Sequence, residues 1–496
     1  MQHGARISSP SSGNENHHRD LWIAAAVFAA ASAYFASFQP MSRPLLLDAA
    51  TWDYMAVELP RGLVPYRDVF LHKTPGTAFV GAVAAYAARM TGAEPVLAVH
   101  LLILLQGALA PALLYLLCRP RMSRAASVVA AMALLAYDQW IVAVLEGSQP
   151  KVPTLFFGLL CLLAGERGRA VTAGLMGGVA VLCWQPALAF LLGGLAPLLA
   201  RQHSWQRRAR TTAVMAAASL VPTVALLAYL AWHGALQQFY DQAILFNVDY
   251  IQLKARTLFG TLRALGFNYS DWEDVEMLML PAALAGLAAR PQPLASSLLI
   301  SGVIYGVMLF VSMQSWPDLI LLGPVLAALF GAGLYGLFAA RLRPVVAAAL
   351  ALLLVAVAAM PDGRPKYRPG LSFQAQRERM QALAAELSPQ DVVVGVSVPE
   401  FFLQTGRRNG WMWPYLWFGV DAFAAAHTPG GFDGFLRDLE QKNPRMILLG
   451  RHWTGPLRAR FERWAEPRYT VGEARIFPHT QRPMRVYRRR NAEAAQ

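Results

Sequence analysis

Long apolar runs, separated by short polar segments, fill the chain between positions 21 and 360. A helix needs about 20 such residues to cross a bilayer, and most of the runs approach that length. The pattern therefore predicts an all-α polytopic membrane domain of about eleven spans. These spans are placed at 21–39, 96–118, 124–145, 152–165, 170–184, 187–200, 211–232, 277–290, 294–313, 319–340 and 344–360. Several are short for a full crossing, so we expect their boundaries to shift or the bilayer to thin around them.

The N-terminal residues differ from this apolar domain. Residues 1–20 are polar and rich in Ser, Asn and His, which predicts a disordered cytoplasmic tail. The run at 21–38 ends in small residues, as a signal peptide does. The many later spans favour an uncleaved first helix instead.

The pattern changes again after the last span. Residues 361–371 are rich in Pro, Gly and charge and predict a linker. An amphipathic helical segment and two short apolar runs, at 391–398 and 445–450, follow it. Residues 372–490 are therefore predicted to form a C-terminal α/β domain outside the cytoplasm.

Charge decides the orientation of the spans. The 496-residue chain has a net charge of +14, but only 15% of its residues are charged and 56% are hydrophobic. Its basic residues stand in short clusters between apolar runs. Such clusters remain in the cytoplasm and set topology, which argues against nucleic acid as a partner. The clusters lie at 119–124, 165–169, 201–210, 289–293 and 341–344.

One segment has to be treated separately to keep all these clusters on the same side. If residues 75–90 crossed the membrane, every later loop would be reversed, so we interpret them as re-entrant or interfacial. The outer loop 40–95, the turn holding Glu146 and Lys151, and the loop 233–276 then share an outer face with the C-terminal domain. We expect this face to be the periplasmic side of a bacterial inner membrane.

Polar chemistry concentrates in one stretch of the outer loop, DAATWDYMAVELPRGLVPYRDVFLHKTPG at 48–76. It combines several acids with Arg67 and Lys73, and its Pro and Gly residues restrict the backbone. Polar groups beside a bilayer are costly to desolvate, and a mostly apolar protein has few other places for chemistry. We take this stretch as the candidate active site.

The motifs of this stretch resemble a known family. The pattern D-x3-aromatic, GLVPYRD and HKTPG after a first span resembles the first outer loop of GT-C glycosyltransferases that use polyprenyl-phosphate sugars. The nearest groups are protein mannosyltransferases, aminoarabinose transferases and rhizobial galacturonosyltransferases. The outer domain, with VPEFFLQTGRR before RMILLG, follows a similar order. The chain departs from the pattern at Trp52, where Tyr is commoner, and at Trp184–Gln185, where Lys often stands.

The resemblance implies that Asp48 binds or deprotonates the acceptor. Sugar transfer needs a carboxylate that activates the acceptor and cations that hold the leaving phosphate. An alternative for Asp48 is a helix cap before AATW. Trp52 should share its helix face, whereas Asp53 turns away by about 100° and is expected to be structural.

Each of the two cations considered in this loop, Lys73 and Arg67, has two possible roles. The resemblance implies that Lys73 contacts the carrier phosphate; the alternative is an ammonium that merely reaches the headgroups. Arg67 is a second candidate for the phosphate, or it forms a local ion pair with Asp68. Tyr66 and Asp68 are further candidates for the acceptor cavity.

Three other segments are expected to complete the site. Glu146 is a candidate second catalytic acid, with a solvated boundary charge as the alternative. Trp316 and Asp318 match positions that face the cavity in the family, although an aromatic belt would have the same composition. The loop 233–276, with Lys254, Arg256 and Arg263, is a candidate lid.

The most consistent function is transfer of a sugar from a polyprenyl-phosphate carrier to a lipid, glycan or protein acceptor. A transporter or flippase is the main alternative, but we find no inverted repeat and few ionisable residues inside the spans. A non-catalytic envelope glycan-binding protein is a third possibility. The sequence indicates no cofactor: the three cysteines show no CxxC spacing and His72 is a lone histidine. A divalent cation is left open.

Overall fold

The computed structural model of the protein describes residues 11–249, 295–312, 316–338, 372–417, 419–450, 453–474 and 484–490. Two predicted spans, 277–290 and 344–360, and the linker lie outside these ranges. The basic clusters at 289–293 and 341–344, and the lid residues Lys254, Arg256 and Arg263, also lie outside them.

Helices make up nearly all of the described part before residue 339. They are α1 Ser11–Ser37, α2 Leu47–Glu58, α3 Gly76–Thr91, α4 Pro95–Cys118, α5 Arg124–Ala136, α6 Asp138–Glu146, α7 Lys151–Glu166, α8 Ala170–Cys183, α9 Leu188–Ala200, α10 Trp205–Trp232, α11 Leu236–Phe239, α12 Ser296–Ser312 and α13 Gly323–Phe338. A π-helical turn, Tyr240–Leu245, continues α11. A large apolar core joins α1, α4, α5, α7, α9, α12 and α13.

Three helical segments of the described residues are long and apolar enough to cross a membrane: Asn16–Ser42, Pro95–Cys118 and Trp205–Trp232. Shorter apolar helices complete the packing: α8 lies against α10, and α12 lies against α9. The protein is thus a mostly helical, multi-pass membrane protein. The count of eleven spans remains a prediction.

The first helix begins earlier than the sequence predicts. It starts at Ser11, so residues expected to belong to a disordered tail are helical. The physical reason lies in Asp20, whose carboxylate accepts hydrogen bonds from Arg119 and Arg124 at 3.0 and 2.7 Å. These two ion pairs tie the polar start of α1 to the α4–α5 connection.

The predicted span at 124–145 is wrong as a single helix. It is two helices, α5 and α6, that meet at an angle of 58°. Tyr137 has an extended backbone (φ −70°, ψ 113°) and separates them. Because of this bend, Gln139, Val142 and Glu146, which share one face of α6, turn towards a cavity described below.

The C-terminal domain, which we call the outer domain after its predicted location, is built on a four-stranded sheet. Its strands are β1 Val393–Val396, β2 Met446–Leu449, β3 Tyr469–Ala474 and β4 Met484–Arg489, in the order β1-β2-β4-β3. β1 and β2 are parallel, and β4 pairs antiparallel with both β2 and β3. Helices α14 Phe373–Ala384, α15 Pro399–Thr405, α16 Val420–His427, α17 Gly431–Gln441 and α18 Pro456–Ala465 accompany it. Both predicted strands are present, while β3 and β4 were not predicted.

Polar contacts hold this domain against α2. Glu58, which is almost fully buried, accepts a hydrogen bond of 2.8 Å from Arg408. The Tyr54 hydroxyl accepts one of 3.1 Å from the backbone N–H of Asn409. A shared apolar core that includes Met55, Phe401 and Phe402 surrounds these contacts. The helix that bears Asp48 and the outer domain therefore behave as one packed unit.

Candidate active site

A cavity of about 440 Å³ lies where α2, the following loop, α6, the start of α7 and the outer domain meet. Its polar lining brings together side chains that are far apart in the sequence. They are Asp48, Thr51, His72, Lys73, Gln139, Glu146, Gln149, Lys151 and Asp318. Its aromatic lining consists of Trp52, Trp184, Phe246, Tyr415 and Trp417.

Asp48 lies in the first turn of α2 and is exposed towards the cavity. Leu46, not Asp48, occupies the N-cap position, so the helix-cap interpretation does not account for this carboxylate. Trp52, four residues on, lines the same cavity, in agreement with the predicted helix face. Asp53 points the other way and contacts His100 through a 2.8 Å hydrogen bond.

Lys73 is held in place through its backbone. The Tyr66 hydroxyl donates a 2.9 Å hydrogen bond to the Lys73 carbonyl. Gln242 in turn donates to the Tyr66 carbonyl at 2.7 Å. Three residues after Lys73, helix α3 begins at Gly76, where an added Cβ would lie 2.4 Å from the Leu182 carbonyl. Only glycine permits this close approach.

The Lys73 ammonium is in an unusual electrostatic position. Burial lowers the pKa of Lys73 below its ordinary value, while the negative charges of Asp318 and Asp48 oppose this shift. An additional anion would stabilise the protonated form of Lys73, because its charge compensates for part of the solvation that burial has removed.

Glu146 ends α6 and faces Asp48 across the cavity. Gln149 donates a hydrogen bond to its carboxylate, and the charges of Asp48, Lys151 and Arg43 act on it. The next residue, Gly147, has a positive φ of 107°. An added Cβ there would lie 2.6 Å from Nε2 of His100, so the turn after Glu146 rests directly on the Asp53–His100 pair.

Asp318 lines the cavity from the 3₁₀ helix Trp316–Leu322. Its charge acts on both Lys73 and Lys151. The side chain of Trp316 lies outside the part of the chain that the structure describes, so its predicted place in the cavity stays a prediction.

Three predicted site residues do not line the cavity. Arg67 and Asp68 form a bidentate ion pair with each other at 2.7 and 2.8 Å. Asp68 also accepts a 2.8 Å hydrogen bond from the Val64 backbone, which closes the VPYRD turn. Burial alone would raise the pKa of Asp68, but the hydrogen bond from Arg67 holds this pKa below its usual range. Together with the buried Tyr66, this pair supports the loop instead of facing the cavity.

The outer domain contributes one wall of the cavity. The Tyr415 hydroxyl and Nδ1 of His72 share a hydrogen bond of 2.6 Å. Phe70, two residues earlier, inserts into an aromatic cluster that includes Trp413 and Phe423. This wall was missed by sequence reasoning, because nothing local marks Tyr415 as a neighbour of a residue 343 positions away.

Lys151 and Trp184 were not predicted as site residues either. The Lys151 ammonium lies 5.8 Å from the centre of the Trp184 ring. A signal did exist for Lys151, since lysine is scarce in the chain and this one follows Glu146 by five residues. Within the described residues, no group of three His, Cys, Asp or Glu side chains is placed to hold a metal ion.

No protein-family model matches the sequence, and a search of the curated proteins finds no match. Solved structures do match. The chain is similar to ArnT from Cupriavidus metallidurans in the apo state, with 15% identity and a TM-score of 0.56, over 96% of this chain and 98% of that one. The GT-C fold is confirmed. ArnT bound to undecaprenyl phosphate matches similarly, with 16% identity, a TM-score of 0.56 and coverage of 94% and 97%. At these identities the likeness establishes the fold.

Proposed function

We propose that this protein is a membrane glycosyltransferase that moves a sugar from a polyprenyl-phosphate carrier to an acceptor. The observation that carries the proposal is the convergence of Asp48, Glu146 and Lys73 on one cavity. Asp48 comes from α2, Lys73 from the loop that follows it, and Glu146 from the end of α6. A carboxylate pair beside a half-buried ammonium is the set of groups that this reaction requires.

The proposed chemistry assigns one task to each group. Asp48 accepts the proton of the acceptor hydroxyl or amine as the acceptor atom attacks the anomeric carbon of the sugar. The bond between that carbon and the phosphate oxygen breaks, and the carrier phosphate leaves with the electron pair. Lys73 stabilises the charge that develops on this phosphate. Glu146 orients the acceptor from the opposite side.

The undecaprenyl phosphate bound by ArnT, a protein of the same fold, supports a lipid-phosphate donor here. The proposed acceptor is a lipid, a glycan or a protein. The proposed setting is the bacterial inner membrane, with eleven spans and the C-terminal domain in the periplasm. A reporter that is active only outside the cytoplasm should then work when fused after Gly370 and fail after Arg121 or Arg208. Activity after Arg208 would contradict this topology.

The proposed function is tested by sugar transfer in detergent-purified protein. A panel of polyprenyl-phosphate sugars is supplied with membrane lipid extract as acceptor, with and without a chelator because a divalent cation remains a possible requirement. Release of carrier phosphate together with labelled acceptor is the expected result. If no donor of the panel is consumed, and undecaprenyl phosphate does not bind, the proposal is contradicted.

A further inference from the structure

Lys151 stands out among the groups that the proposed chemistry does not use. The chain has 44 basic residues, of which only five are lysines: Lys73, Lys151, Lys254, Lys366 and Lys442. Among the described residues, the Lys and Arg side chains that line the cavity are Lys73 and Lys151. An ammonium is a compact charge on a flexible stem, so it can turn towards a phosphate oxygen where a planar guanidinium has less freedom.

Lys151 lies at the N-terminus of a helix that begins at the cavity. Lys151 is the first residue of α7, a helix of 16 residues, and Gln149 and Pro150 just before it also line the cavity. The positive end of the helix dipole therefore faces the same space as the ammonium. The Trp184 ring, 5.8 Å away, restrains the ammonium through a cation–π contact.

Lys151 and Lys73 line the same cavity and repel each other. The charge of Lys73 acts unfavourably on Lys151, whereas the carboxylates of Asp318, Asp48 and Glu146 act favourably on it. Within the described residues neither ammonium forms an ion pair with a carboxylate at contact distance. Two half-buried cations that repel each other across a cavity are stabilised together by one anion placed between them.

We propose that Lys151 and the N-terminus of α7 form the second half of the donor-phosphate site, so that the carrier phosphate is held between Lys151 and Lys73. The inference rests on the proposed function, because it concerns the same donor. Lys151 then takes the place of Arg67 as the second cation, because Arg67 forms an ion pair with Asp68 outside the cavity. The negative charge that develops on the leaving phosphate is then shared by two ammonium groups.

The test is binding of undecaprenyl phosphate to the detergent-purified full chain, followed by tryptophan fluorescence. The neutral alcohol undecaprenol reports binding of the lipid tail alone. The variants are Lys151→Gln, Lys73→Gln, the double variant, and Lys442→Gln, which removes an exposed lysine of the outer domain. Each single cavity variant should raise the Kd for undecaprenyl phosphate about 10-fold or more. Undecaprenol binding and the Lys442 control should not change.

The double variant identifies the shared site. If one phosphate contacts both lysines, the double variant should weaken binding by less than the product of the two single effects. If Lys151 only neutralises Glu146 or Asp318, Lys151→Gln will leave the Kd unchanged, and the inference is overturned while the proposed function stands. If the parent does not bind undecaprenyl phosphate better than undecaprenol, the proposed function fails and the inference fails with it.

Discussion

Asp53 on α2 and His100 on α4 are joined by a 2.8 Å hydrogen bond between Oδ2 and Nε2, and both side chains are buried. The pair lies under the turn that follows Glu146 and links it to the helix that bears Asp48. Removing His100 alone leaves the Asp53 carboxylate buried without its partner. We expect His100→Leu to cost about 3–5 kcal/mol of stability, seen as a lower midpoint of thermal unfolding in detergent. An unchanged midpoint would show that the pair does not support the fold.

The turn itself should be sensitive to a single methyl group. Gly147→Ala places a Cβ 2.6 Å from His100 and must adopt a φ of 107°, so the turn has to move and Glu146 with it. We expect turnover to fall about 10-fold or more, the size of effect that displacement of a catalytic group produces. Gly92→Ala is the matched control, because its φ of 74° is also positive but nothing lies within 4 Å. Equal losses in the two variants would attribute the effect to backbone strain alone.

The lowered pKa of Lys73 predicts how donor binding responds to alkaline pH. The ammonium loses its proton at a lower pH than an exposed lysine with the ordinary value of 10.5. Phosphate is fully ionised well before this range, since its second pKa is about 6. The Kd of undecaprenyl phosphate should therefore rise with pH already below 10.5, the ordinary value for lysine. The rise should be smaller in Lys73→Arg, whose guanidinium stays protonated. Identical pH profiles would exclude Lys73 as the titrating contact.

The buried carboxyl group of Glu400 in the outer domain should make the stability of the protein depend on pH. The Glu400 side chain is fully buried, and neither oxygen has a hydrogen-bond partner elsewhere in the described residues. Burial raises the pKa of Glu400 from 4.5 to about 8. The folded state then holds a proton that the unfolded state has lost, so stability falls as pH rises from about 4.5 to about 8. Glu400→Gln should remove this fall, and its unfolding midpoint should exceed that of the parent increasingly between pH 5 and 8. A constant difference would indicate that Glu400 is not the group that titrates.

The sequence predicted those parts of the site that depend on local spacing. The four-residue spacing of Asp48 and Trp52 correctly places both on the cavity, and it correctly turns Asp53 away. The adjacency of Arg67 and Asp68 allowed an ion pair, and the structure contains it. The two parallel strands of the outer domain, β1 and β2, also followed from hydrophobic periodicity.

The rest of the site depends on contacts that no local pattern encodes. Tyr415 meets His72 only because the outer domain packs on α2, and Lys151 meets Trp184 only because α7 and α8 pack side by side. The bend at Tyr137 occurs inside a continuous apolar run, so hydropathy shows one span where the chain forms two helices. In each case tertiary packing decides which of several locally acceptable arrangements is adopted.

A control for Asp48→Asn has to remove another carboxylate without disturbing the cavity. Asp53→Asn would be the obvious partner for Asp48→Asn on the same helix, but Asp53 is buried against His100 and its loss disturbs the Glu146 turn. Asp433, an exposed acid of the outer domain with a side-chain accessibility of 67%, is a better control. Its replacement by Asn changes the same chemical group at a position that does not line the cavity.

The most direct test of the central claim is the turnover of purified Asp48→Asn with the donor that the parent consumes, measured beside Asp433→Asn at equal amounts of folded protein. Asn keeps the size of the side chain but cannot accept the acceptor's proton. We predict a fall of about 10²- to 10⁴-fold in turnover for Asp48→Asn, with an unchanged Kd for undecaprenyl phosphate within about 3-fold, and parental turnover for Asp433→Asn. Near-parental turnover of Asp48→Asn would contradict its assignment as the catalytic base.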